Sequence, residues 1–176
     1  YLSAFGVAPV YVFTPVEGQQ AQVMLRIQQK DFKTAVTSPD ENRDAKEAAA
    51  GLSWYWPCAQ QTGFFNARYE LNREDATGAN WSYLGNKFNA GVLYPASEAL
   101  KLSLGVEMYL QAYSNVNTAF NKKRDDTTLT ITAQALYTLR GNIDAHFMYV
   151  YMKDDSTIDV YAFSKNIFGI GLYARF

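Results

Sequence analysis

Read two residues at a time, most of this chain separates into two faces. Leu100, Leu102, Leu104, Val106, Met108 and Leu110 alternate with Lys101, Ser103, Gly105, Glu107, Tyr109 and Gln111. An extended strand sends successive side chains to opposite sides, so this period predicts a β-strand with one apolar face. The same pattern predicts strands over 1–13, 20–30, 48–56, 65–72, 84–94, 128–139, 143–152 and 165–176, nine in all. Asn86 is a polar intruder on an apolar face, and Pro9, which lacks an N–H for the ladder, marks an edge or an irregularity. The run Asn42 to Ala50 has the Ala, Glu and Lys content of a short helix.

The connections alternate in length. Short turns are predicted at 14–18, 57–62, 95–97 and 140–142, and longer polar loops at 31–46, 73–80, 114–126 and 153–164. Consecutive strands joined in this way make an antiparallel up-and-down sheet, with the turns at one end and the loops at the other.

Alternation alone fits a soluble lipocalin-like barrel as well as a membrane barrel. Three features favour the membrane. Spans such as 100–111 and 128–139 exceed the roughly five or six residues usual for soluble strands. The apolar faces are bulky and uncharged, and nine of them would overfill a small barrel interior. Short turns at one end and long loops at the other are the habit of outer-membrane barrels. Composition agrees: the chain is 48% hydrophobic and 15% aromatic, yet mean hydropathy is only -0.23. A membrane strand needs just every second residue apolar, so no run of roughly 18 apolar residues is required. Net charge is -1, which gives no electrostatic case for nucleic acid, and the single Cys58 has no disulfide partner.

The last strand, Lys165–Phe176, places Phe168, Ile170, Leu172, Ala174 and Phe176 on one face and ends on an aromatic ring. It resembles the terminal strand of bacterial outer-membrane β-barrels, which implies recognition by the barrel-assembly machinery. The segment VYAFSKNIFGIGLYARF also resembles the end of barrels that follow a TPR region, the surface lipoprotein assembly modifier group. Asn166, Ile167 and Phe176 match that pattern, and Lys165 stands where Arg is usual. This second resemblance implies a larger barrel with a role in protein export or surface display.

We therefore expect one all-β domain over 1–176, an antiparallel transmembrane β-barrel of about nine strands in the bacterial outer membrane. Bacterial single-chain barrels use even strand numbers. With nine strands the first and last run the same way, so a further strand, from a segment before Tyr1 or from another subunit, is expected to close the barrel. The expected function is a pore or conduit for solutes or a secreted chain. A plugged barrel displaying its loops is the alternative.

The charged residues expected to face the lumen are Arg26, Arg68, Glu70, Lys87, Lys101, Glu107, Asp144 and Arg175, with His146, and also Lys30 and Glu47. Their mixed signs favour cross-strand ion pairs in the wall. Trp54, Trp56, Tyr94, Tyr137 and Phe176 are expected in an interfacial girdle at the turn end, and Tyr69, Trp81, Tyr149 and Tyr151 toward the loop end. The basic run Asn121-Lys122-Lys123-Arg124 could meet lipopolysaccharide phosphates, or simply be solvated beside Asp125 and Asp126. Ser103, His146 and Asp144 share the polar faces, but residues two apart on a strand lie about 7 Å apart, too far for a direct relay. A polar network is expected there rather than catalysis. No enzyme activity, metal or cofactor is expected.

Overall fold

The computed structural model describes residues 2–33, 35–58, 60 and 62–174. They form one antiparallel sheet whose strands follow chain order: β1 (Leu2–Val7), β2 (Val10–Phe13), β3 (Gln20–Phe32), β4 (Ala45–Cys58), β5 (Gly63–Ala76), β6 (Tyr83–Pro95), β7 (Leu100–Asn117), β8 (Lys122–Arg140), β9 (Ile143–Ser156) and β10 (Phe163–Ala174). β1 and β2 both pair with β3 and form one stave interrupted at Ala8 and Pro9. Proline's missing donor explains the break, and the Pro9 carbonyl still accepts from the Leu25 amide at 3.1 Å. Among the described residues β10 pairs only with β9, so the sheet is open between β1 and β10.

The two faces are those of the alternating sequence. Leu104 is opposite Val92 and Ala133, whereas Ser103 is opposite Leu93 and Gln134. Their burial is the reverse of a water-soluble domain. On the apolar face Phe5 is 84% exposed, Phe168 77% and Ile170 81%, while on the polar face Glu47 and Glu70 retain 4% and 3%. Side chains crowd together on the polar face and splay apart on the apolar one. The sheet therefore curves with its polar face inward. A soluble barrel would bury the apolar set instead.

The loop end departs from expectation. β5, β7, β8, β9 and β10 run on into the polar segments read as loops, leaving connections of 77–82, 118–121 and 157–162. Beyond an apolar environment both faces of a strand can be polar, so alternation disappears while the ladder continues. A bulge in β7 between Ala112 and Val116 accompanies this change. No α-helix forms over 42–50. A single 3-10 turn, Pro39–Glu41, precedes β4, and Ala45–Ala50 pairs with both β3 and β5. Tertiary pairing on both sides outweighs a weak local helix preference.

Two hairpins carry the same details. In β5–β6 the Tyr69 hydroxyl donates to Asn86 Oδ1 at 2.7 Å, and Tyr69 lies 5.0 Å from Phe88. In β9–β10 Tyr149 donates to Asn166 Oδ1 at 2.7 Å, with Phe168 5.0 Å away. Arg73–Asp75 and Lys153–Asp155 pair along the strands at 2.9 and 2.7 Å. One-turn helices at Ala79–Trp81 and Asp159–Tyr161 complete the correspondence.

Candidate functional site on the polar face

The polar face is organised around Arg26 on β3. Its Nε donates to Glu47 Oε1 on β4 at 2.9 Å, and its Nη2 reaches over β4 to Glu70 Oε1 on β5 at 2.8 Å. Gly51, opposite both Met24 and Glu70, keeps the intervening strand low. Lys30 bridges Glu47 and Glu74, and Arg68 pairs with the other oxygen of Glu70 at 2.5 Å. Glu47, Glu70 and Glu74 thus each face at least one cation, the condition under which such burial is tolerated.

Further round, charge is held differently. Lys87 Nζ lies 4.5 Å above the Tyr109 ring, an arrangement that keeps an ammonium against an aromatic face. The Tyr109 hydroxyl bonds to Asn72 and to the Tyr83 hydroxyl. Gly85 makes room for this group, since a Cβ there would stand 2.2 Å from Asn72 Oδ1 and 2.7 Å from the Tyr109 ring. Arg26, Arg68, Glu70, Lys87 and Glu107 line one groove of about 420 Å³. A second hollow of about 500 Å³ opens where Gly91 lies opposite Gly105, and also takes in Glu107.

Toward the turn end a cavity of about 350 Å³ holds Lys101, Ser103, His146 and Tyr173. His146 rests 5.9 Å from the Tyr173 ring, and Asp144 accepts from Thr138 Oγ1 at 2.7 Å. Among the described residues no hydrogen bond joins Ser103 to His146. Arg175 and Phe176 lie outside the described residues. On the opposite face Trp56, Tyr94 and Tyr137 are exposed toward the turn end. Trp54 is half-buried, with its Nε1 donating to Gln19 at 2.8 Å. Tyr149 and Tyr151 stand farther toward the loops, on the same side as their neighbours Ala133 and Ile131.

At the loop end the connections lean inward and lock together. Arg124, read as part of an exposed basic loop, lies in β8 and is 7% exposed. Its Nε donates to Asp126 at 2.8 and 3.0 Å, and its guanidinium sits 3.5 Å from the Tyr161 ring, 4.4 Å from Tyr113 and 5.4 Å from Trp81. Lys122 reaches the Thr157 carbonyl. Burial pulls the Arg124 guanidinium down, but the Asp126 hydrogen bond together with the charges of Tyr113, Asp126 and Tyr161 outweighs it, and the net shift is upward. Burial likewise pushes the Tyr113 hydroxyl up. Trp81 and Tyr161, the matching aromatics of the two similar hairpins, meet edge to face at 6.2 Å. Trp81 is therefore a loop anchor and not a girdle residue. Asn80 joins three loops: it donates to Glu41 at 2.7 Å and accepts from the Thr118 amide at 2.9 Å. The spacing along the chain gave no sign of this group, because its partners lie in separate connections.

No family model matches the chain, and a search of curated proteins found no match. The likeness of the last strand to the surface lipoprotein assembly modifier group thus rests on those few residues alone. Among solved structures the chain is similar to a loop L8 deletion mutant of OmpT, an outer membrane protein of Vibrio cholerae, with 14% identity and a TM-score of 0.69. The match covers 97% of this chain and 53% of that one, so the chain spans about half the length of this neighbour. The described residues have the fold of an outer-membrane β-barrel wall.

Proposed function

We propose that the chain forms part of an outer-membrane barrel whose polar concave face lines a passage for small solutes, with the apolar face against lipid. The observation that carries this reading is the inverted burial: ionised groups are gathered on the inner face and large apolar side chains are presented outward. In hydrocarbon every backbone group must be paired, so the open edges at β1 and β10 need further strands. The two edge staves run in the same direction, so an odd number of additional strands closes an antiparallel barrel. The length of the solved neighbour supports a wall completed by as much chain again. The loops would then lie outside the cell and meet lipopolysaccharide, and the turns would face the periplasm. The terminal-strand resemblance extends the same reading to a secreted chain as cargo.

The inward-leaning loops around Arg124 favour a second reading, a plugged barrel that displays them. Reconstitution of the purified protein in planar lipid bilayers separates the two. Discrete conductance steps are expected for a passage. Silence at every applied voltage would refute it.

A further inference from the structure

A cleft of about 620 Å³ opens at the loop end, between residues 35–43 and Trp81. That volume is in the range of small-molecule sites. Arg43 lines it. Its guanidinium lies 4.1 Å from the Trp81 ring and 4.9 Å from the Phe32 ring. The guanidinium lies over both rings, and because Arg43 is exposed its N–H donors remain open to a ligand. Among the described residues Arg43 has no ion-pair partner.

Glu41 lines the same cleft. Its two oxygens accept from Asn80 Nδ2 at 2.7 Å and from Trp81 Nε1 at 3.1 Å. Both donors are neutral, so the carboxylate is fixed in place while its charge stays uncompensated. Arg43 and Glu41 form no ion pair with each other. The cleft therefore presents one oriented cation and one oriented anion, each held by neighbours that leave its charge unmatched. Phe32 and Val36 supply apolar wall beside them.

We propose that this cleft binds a small zwitterion, a free amino acid or short peptide, with its carboxylate on Arg43 and its ammonium on Glu41. A planar fork suits a carboxylate. A ligand with a single charge would leave the opposite protein group facing it unmatched, and a neutral one would leave both. Binding itself does not depend on conduction. Only its use, as a capture point at the outer mouth, rests on the passage reading.

The test is calorimetric titration of the purified full-length protein in detergent micelles with glycylglycine, N-acetylglycine, which lacks the ammonium, and glycinamide, which lacks the carboxylate. Glycylglycine is expected to bind saturably and both analogues at least about tenfold more weakly, as expected for loss of one charged hydrogen bond. Arg43→Gln should weaken glycylglycine by a similar factor, and Glu41→Gln should weaken glycylglycine but not N-acetylglycine. If circular dichroism shows that Arg43→Gln disturbs the fold, Arg43→Lys replaces it and should still bind several-fold more weakly. Absence of saturable binding, equal binding of the three compounds, or indifference to both substitutions would overturn the proposal. Conductance is read separately, so failure here leaves the passage reading standing.

Discussion

The Tyr69 hydroxyl donates to Asn86 Oδ1 across 2.7 Å on a face otherwise given to apolar side chains. Asn86, the polar intruder of the sequence pattern, is thus matched from the neighbouring strand, and Tyr149 does the same for Asn166. In an apolar layer an amide without its partner is costly. Tyr69→Phe should therefore destabilise the protein by about 1–3 kcal/mol. Combining it with Asn86→Leu should recover most of that loss. Urea unfolding in micelles, read as a double-mutant cycle, checks this, and simple additivity would contradict it.

Arg26 serves two buried carboxylates, whereas Arg68, with 37% of its side chain exposed, shares Glu70 with Arg26. Arg26→Met should cost about 1.5–3 kcal/mol, because three charged hydrogen bonds are lost and Glu47 and Glu70 keep only Lys30 and Arg68. Arg68→Met should cost clearly less, because Arg26 remains on Glu70. Equal losses in the same unfolding assay would mean that the three-strand bridge is not what holds this part of the wall.

Orientation can be read by labelling intact cells with an impermeant thiol reagent in a Cys58→Ser background. Asn117 is an unsuitable position, since it is 1% exposed and accepts from the Ala119 amide at 3.0 Å. Ala119 and Ser97 are both exposed, one in the 118–121 connection and the other in the turn between β6 and β7. A cysteine at Ala119 should react and one at Ser97 should not. Equal labelling would contradict the assignment of loops outside and turns inside.

Faces and strand order were legible because a period of two survives wherever one side is apolar, as from Leu100 to Leu110. The pattern failed where that asymmetry ends. Ser114–Asn117 and Lys122–Asp126 continue the β7–β8 hairpin although their sequence is polar apart from Val116. Asn42–Ala50 read as a short helix because Ala, Glu and Lys favour one, and only the pairing of Ala45–Ala50 with β3 and β5 decides otherwise. The wall charges could be placed on a face but not matched, since Arg26 reaches Glu70 over an intervening strand. Arg43, Glu41, Asn80 and Trp81 come together from separate loops, a grouping that no local spacing encodes.

On β7, Leu104 is about half exposed on the apolar face and its neighbour Ser103 lines a hollow on the other. Leu104→Arg should cost about 2–4 kcal/mol near the bilayer midplane. Ser103→Arg should be milder. Folding into vesicles measures both, and a reversed order would contradict the assignment of faces.

The central claim is that a wet inner face and a lipid-facing outer face alternate along each strand. It is tested most directly by a spin-label accessibility scan from Leu100 to Leu110 in reconstituted membranes. Labels at Leu102, Leu104, Val106 and Met108 should collide preferentially with oxygen, which partitions into lipid. Labels at Lys101, Ser103, Gly105 and Glu107 should collide with a water-soluble nickel chelate. Two profiles of period two, opposite in phase, are expected. Profiles in phase, reversed, or without a period of two would contradict the claim.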